Sequence, residues 1–116
     1  MSDPELIART CAAAAADKKA EDIVLLDMRG VSDFTDFFLI CSASSEPQLK
    51  AISSSIRDKV REEHASKPLT EDGYPTSQWV VVDYGSVICH LFLESRRSFY
   101  DLEGLWNDAP KVALED

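Results

Sequence analysis

Two histidines, three cysteines and one aspartate set in an apolar run are the residues whose types could do chemistry, and their spacing argues against most of it. His90 and Asp83 fall on one face of a predicted β-hairpin, where a histidine and a carboxylate could serve as base and orienting group for a nucleophile. At ordinary strand rise they stand roughly 10–15 Å apart, and no serine or cysteine on that face completes a triad. His90, set against Trp79, reads as a packing and hydrogen-bonding group. His64 closes a polar helix and reads as solvated. Two histidines and the widely separated Cys11, Cys41 and Cys89, with no Cys-x-x-Cys pair, make no zinc site. The cysteines are odd in number and lie in apolar stretches, as buried free thiols of a reducing compartment do. Asp83 has Val81 two residues before it and Gly85 in the turn after it, so a carboxylate pair for magnesium is missing. The Cys41–Ser45 junction ahead of a helix could receive an anion. It has no glycine to let a phosphate approach the backbone, and helix capping by Ser45 accounts for it. Arg96 and Arg97 are adjacent; an ion pair with Glu94, Asp101 or Glu103 and a contact to a partner are both open to them.

The hairpin that positions these groups is Trp79–Leu93. With Tyr84 and Gly85 as a two-residue loop, Val82 faces Val87, Val81 faces Ile88 and Trp79 faces His90. Alternation then gives an apolar face of Val80, Val82, Val87, Cys89, Leu91 and Leu93. The other face carries Trp79, Val81, Asp83, Ser86, Ile88, His90 and Phe92. A fully covered face has no use for Asp, Ser and His, so the second face reads as half covered and as the place for function.

Other elements follow from pattern. Residues 4–20 predict a helix with Leu6, Ile7, Cys11, Ala14 and Ala15 inward, its alanine run offering little to pack with. Residues 22–28 predict a strand, followed by a turn over 32–36 around an inward Phe34. Phe37–Cys41 is continuously apolar and predicts a central strand covered on both faces. Ser45 caps a helix that buries Leu49, Ile52, Ile56 and Val60 and ends at His64. A short edge strand over 68–71, a loop over 72–75, the hairpin, and a helix over 95–106 broken at Gly104 complete the order. That last helix turns Phe99, Leu102, Leu105 and Trp106 inward. The whole predicts one α/β domain over residues 1–116, with a mixed sheet of about five strands flanked by helices and a short tail from residue 110.

Composition narrows the partners. Twelve basic residues against twenty-one acidic ones give a formal charge of −9. Such a chain lacks the cationic footprint of a free nucleic-acid binder and suits a basic protein partner. No secretory signal is expected in an acidic Met1–Glu5, and no apolar run approaches the ~20 residues needed to cross a bilayer.

Two blocks carry a further signal: Asp27-Met28-Arg29-Gly30-Val31-Ser32-Asp33-Phe34-Thr35-Asp36-Phe37-Phe38, and a set running through Trp79, Asp83-Tyr84-Gly85, His90-Leu91-Phe92, Arg97, Phe99-Tyr100-Asp101-Leu102-Glu103, Leu105-Trp106 and Asp108-Ala109. With these the chain resembles the ribosomal silencing factor (Iojap) family over nearly its whole length. Ser86 stands where that family commonly has Asp, and Pro47 where many members have Arg. The resemblance implies a nucleotidyltransferase-like α/β fold, a cytoplasmic protein that is often a homodimer, and no catalysis, cofactor or metal. It also implies binding to the large ribosomal subunit through ribosomal protein number fourteen, which blocks the small subunit and represses translation when nutrients are scarce. Trp79, Asp83, Tyr84, His90, Arg97, Tyr100 and Trp106 are the residues expected to make or support that contact. A nucleotidyltransferase-like enzyme and a ribosome-assembly adaptor are the alternatives.

Overall fold

A strand with apolar side chains on both faces must be covered twice, and Phe37–Ala43 (β2) is: all seven of its residues are buried. The structure, a computed structural model, describes residues 3–74 and 78–114, with Tyr74, Phe99 and Tyr100 described in the backbone alone. The other elements are α1 (Pro4–Asp17), β1 (Glu21–Asp27), α2 (Glu46–His64), β3 (Thr70–Tyr74), β4 (Trp79–Asp83), β5 (Val87–Leu93), α3 (Glu94–Tyr100), α4 (Leu102–Leu105) and β6 (Lys111–Val112). They form a six-stranded sheet in the order β3-β4-β5-β2-β1-β6. Only β2 and β5 run parallel; the other neighbours are antiparallel.

Helices α1 and α2 cover one sheet face. From α2, Leu49, Ile52, Ile56 and Val60 are fully buried at the predicted spacing, against Leu39, Cys41, Val82, Cys89 and Leu91. Ser45 caps α2 by accepting from the Gln48 amide at 3.2 Å. The alanine run of α1 behaves differently from its expectation. Ala8, Ala12, Ala14 and Ala15 are buried, while Leu6 is turned outward. Small side chains let α1 lie close to α2, so close that the Ser55 hydroxyl donates to the Ala14 carbonyl at 3.0 Å. The alanines serve contact by their smallness.

The hairpin register is slipped by two residues from the predicted pairing. Asp83 pairs with Ile88, Val81 with His90 and Trp79 with Phe92. The turn is longer than Tyr84-Gly85 because the Tyr84 amide donates to the Val87 carbonyl at 2.8 Å, enclosing Ser86 as well. Asp83 Oδ1 accepts from the Gly85 amide at 2.7 Å, and Gly85 takes φ +86°, which glycine adopts without a Cβ penalty. A slip of two preserves parity, so every side chain stays on its predicted face.

Departures gather at the two ends of the sheet. The edge strand runs over 70–74 rather than 68–71, and Pro75 of the predicted loop lies outside the described residues. The C-terminal helix breaks at Asp101 (φ +45°), not at Gly104, and the Asp101 carboxylate accepts from the Gly104 amide to start α4. In place of a tail from residue 110, Lys111–Val112 pairs with Leu25 and Leu26 as the sixth strand. No helix among the described residues is long and apolar enough to cross a membrane.

A candidate docking face

The second sheet face has a thin cover. Val31, Leu102, Trp106 and Ala109 pack over Leu26, Met28, Phe38, Ile40 and Phe92, on the side of β1 and β2. Toward β4 the cover gives out, leaving Trp79, Val81 and Asp83 half-buried and Thr70 and Asp72 of β3 exposed. Along the margin runs a chain of aromatic contacts. Phe34 meets Phe38 and Trp106, each at 5.9 Å between ring centroids. Phe38 and His90 meet at 4.7 Å between centroids with their rings near perpendicular, and Trp79 stacks on Phe92 at 5.3 Å.

His90 is the polar centre of this run. Trp79 and His90 are diagonal neighbours across the β4–β5 ladder, near enough for aromatic side chains to touch. The Trp79 indole Nε1–H donates to His90 Nδ1 at 3.2 Å. An accepting Nδ1 leaves the neutral ring's proton on Nε2. His90 is only 7% exposed, and burial lowers its pKa to about 4. Its Nε2 is buried and finds no hydrogen-bond partner among the described residues.

The other expected site residues divide. Asp83 lies on the face and orders the hairpin turn. Trp106 belongs to the cover, between Phe34 and Phe38. Tyr84 is parted from them: it packs against the opposite, helix-covered core, where its hydroxyl is buried with no partner among the described residues and burial pushes its pKa up. Alternation places it there, one residue after Asp83. Arg97 holds the cover to the sheet. Its guanidinium forks onto the Glu103 carboxylate at 3.0 and 2.9 Å and also donates to Ser42 Oγ and the Asp22 carbonyl. That hydrogen bonding keeps Glu103 below the usual carboxylate range. The Tyr100 side chain lies outside the described residues.

Phe34 is the member of the face that the sequence pattern misplaces. It is 57% exposed, not inward. Ser32 Oγ accepts from the Phe34 amide at 3.1 Å, and the next residue, Thr35, is the one buried. The turn thus drives Thr35 in and Phe34 out.

Chemistry elsewhere is poorly served. Cys11, Cys41 and Cys89 are free and buried, and desolvation pushes the Cys41 thiol up to about 12, far from a reactive thiolate. At the start of α2 the Gln48 side-chain carbonyl accepts from both the Ser44 amide and its hydroxyl, occupying donors that an anion would need. Among the described residues no group of three His, Cys, Asp or Glu is arranged to hold a metal ion.

The family model for ribosomal silencing factor during starvation (RsfS) matches residues 1–116. The chain belongs to the RsfS family. It is 44% identical to the ribosomal silencing factor RsfS of Halalkalibacterium halodurans over 99% of this chain and 97% of that one. It is 43% identical to RsfS of Bacillus subtilis over 94% and 92%. The chloroplastic Iojap protein of Zea mays is 41% identical over 89% of this chain and 44% of its own length. A crystal structure from Chromobacterium violaceum superposes with a TM-score of 0.86 at 27% identity, covering 99% of this chain and 94% of that one. One from Bacillus halodurans gives 0.79 at 40% identity, over 97% and 100%. Membership in RsfS places the chain among ribosome-associated regulators of translation.

Proposed function

We propose that this RsfS-family chain silences translation by docking on the large ribosomal subunit, against ribosomal protein number fourteen, where its bulk keeps the small subunit from joining. The observation that carries this reading is the half-covered aromatic face of an acidic family member, with Trp79 at its margin and Phe34 exposed. Aromatic side chains that are rigid and partly desolvated before binding make good interface anchors. A net charge of −9 would steer the chain toward a basic ribosomal protein and away from bare RNA. Occupying a docking surface requires no catalysis, cofactor or metal. The protein works in the cytoplasm, as a monomer or as a homodimer. In this reading Trp79 and Phe34 touch the partner, Asp83 and His90 support them, and Arg97 and Trp106 hold the cover in place.

Sucrose-gradient sedimentation of purified subunits tests it, at a magnesium level that permits joining. The protein should migrate with the large subunit and deplete the joined particle. Joined ribosomes left intact, with the protein at the top of the gradient, would rule the mechanism out.

A further inference from the structure

The strongest unexplained group in the molecule is the imidazole of His90. Its two nitrogens are in unlike situations. Nδ1 has a partner, the Trp79 indole, at 3.2 Å. Nε2 carries the proton of the neutral ring and has none, although the residue is more than nine-tenths buried. A buried donor without an acceptor is uncommon in folded chains and disfavours the state that contains it. The ring lies where the cover over the sheet thins out, with the Phe38 ring near perpendicular to it and the exposed Phe34 packed on Phe38. An interior position has been given a donor, and that donor sits beside a partly exposed margin of aromatic rings.

We propose that His90 is the hydrogen-bonding centre of the docking face: Nδ1 positions the Trp79 indole, and Nε2–H donates to a main-chain carbonyl of the protein partner. This rests on the docking reading above and names the chemistry of its central contact. A carbonyl is favoured over a carboxylate or an RNA phosphate on grounds of charge. The imidazole is neutral, so it offers an anion no ion pair, while half-buried Asp83 on the same face and a chain charge of −9 repel one. A neutral acceptor meets no such penalty. Nε2 is buried, so reaching it requires a neighbouring ring to shift, and Phe38 stands 4.7 Å away between ring centroids. The competing account is that Nε2–H points at the face of the Phe38 ring and is weakly satisfied there.

Two substitutions separate the nitrogens. His90→Asn keeps an acceptor near the Nδ1 position and provides no donor at Nε2. His90→Gln extends an amide toward Nε2 and withdraws the acceptor from Trp79. The probes are purified large subunits for affinity and ¹H–¹⁵N spectra of the free protein for the indole N–H signals. In His90→Asn the Trp79 indole signal should stay where the parent has it, while affinity falls about tenfold, as for one lost neutral hydrogen bond. In His90→Gln the indole signal should move upfield. A folded His90→Asn that binds as the parent does would overturn the donor role and leave Phe38 as the partner of Nε2–H. Should His90→Asn fail to fold, the parent decides: its imidazole Nε2 signal should shift on binding isolated ribosomal protein number fourteen, and an unmoved signal in the complex refutes the contact. A parent chain that binds no large subunit overturns the docking reading and this inference with it. Parent binding with His90→Asn unimpaired overturns this inference alone.

Discussion

Burial of a neutral histidine makes stability depend on pH in a window set by the two states of that one side chain. The ordinary value for His is 6.5, and in the fold His90 is lowered to about 4 by desolvation. Well above pH 6.5, as at pH 8, neither the folded nor the unfolded chain protonates this position to any extent, and its contribution is intact. As pH falls from 6.5 toward 4, the unfolded chain takes up a proton that the folded chain refuses, so stability is lost on acidification through this range. At about 1.36 kcal/mol per pKa unit, the loss between pH 8 and pH 5 is about 2 kcal/mol, approaching about 3 kcal/mol below pH 4. Carboxylates as a class also take up protons toward the lower end of this window. The measurement is therefore a comparison: urea denaturation of the parent and of His90→Asn, followed by circular dichroism at pH 8, 6.5 and 5. Everything but position 90 cancels in the difference. The parent should lose about 2 kcal/mol more than the variant between the first and last pH. Parallel stability curves would refute the burial of a neutral imidazole, and with it the hydrogen-bond pattern assigned to Trp79.

Leu91 is fully buried on the helix-covered face, so Leu91→Ala should cost ~2–5 kcal/mol in chemical denaturation; an unchanged midpoint would mean the two hairpin faces are reversed. Trp79→Ala should weaken large-subunit binding by ~2 kcal/mol or more in a folded protein, and an unaltered dissociation constant would remove this face from the interface. Ala65 ends α2 in the left-handed region (φ +54°), so Ala65→Gly should raise stability by about 0.5–1 kcal/mol, read from the thermal midpoint. Arg97→Ala should speed amide exchange in residues 101–112 while leaving α1 and α2 protected; uniform exchange would show that the cover is held by packing alone.

The sequence made some of this legible and concealed the rest for identifiable reasons. Periodicity found α2, and an unbroken apolar run found β2, because burial in both is decided by large side chains. Parity found the two hairpin faces even though the register was two residues off, since a Tyr84 amide reaching Val87 lengthens the turn without changing which side each residue faces. Alanine carries no hydrophobic bulk, so the close approach of α1 to α2 left no sign in the pattern. The break at Asp101 depends on a side chain bonding its own local backbone, which competes with the glycine that looks the better breaker. At the face itself, Trp79, Asp83 and His90 were visible from alternation. Phe34 was not, because one hydroxyl in a turn decides between it and Thr35. The two-residue β6 is too short to show any period.

The unequal cover of the sheet ties these observations together. One face is roofed by helices of 14 and 19 residues, long enough to span several strands. The other has helices of only seven and four residues and a returning segment, held by one arginine fork and a two-residue strand. That roof reaches β1 and β2 and falls short of β4, so a sheet with apolar and aromatic residues throughout must leave some of them at the margin. A longer C-terminal helix would have covered Trp79 and Val81 and freed His90 from its half-built environment, at the expense of the surface. The aromatic margin and the unsatisfied Nε2–H thus share one cause, a cover that stops early. A second protein laid over β4 would complete both, burying the rings and supplying the missing acceptor in the same act.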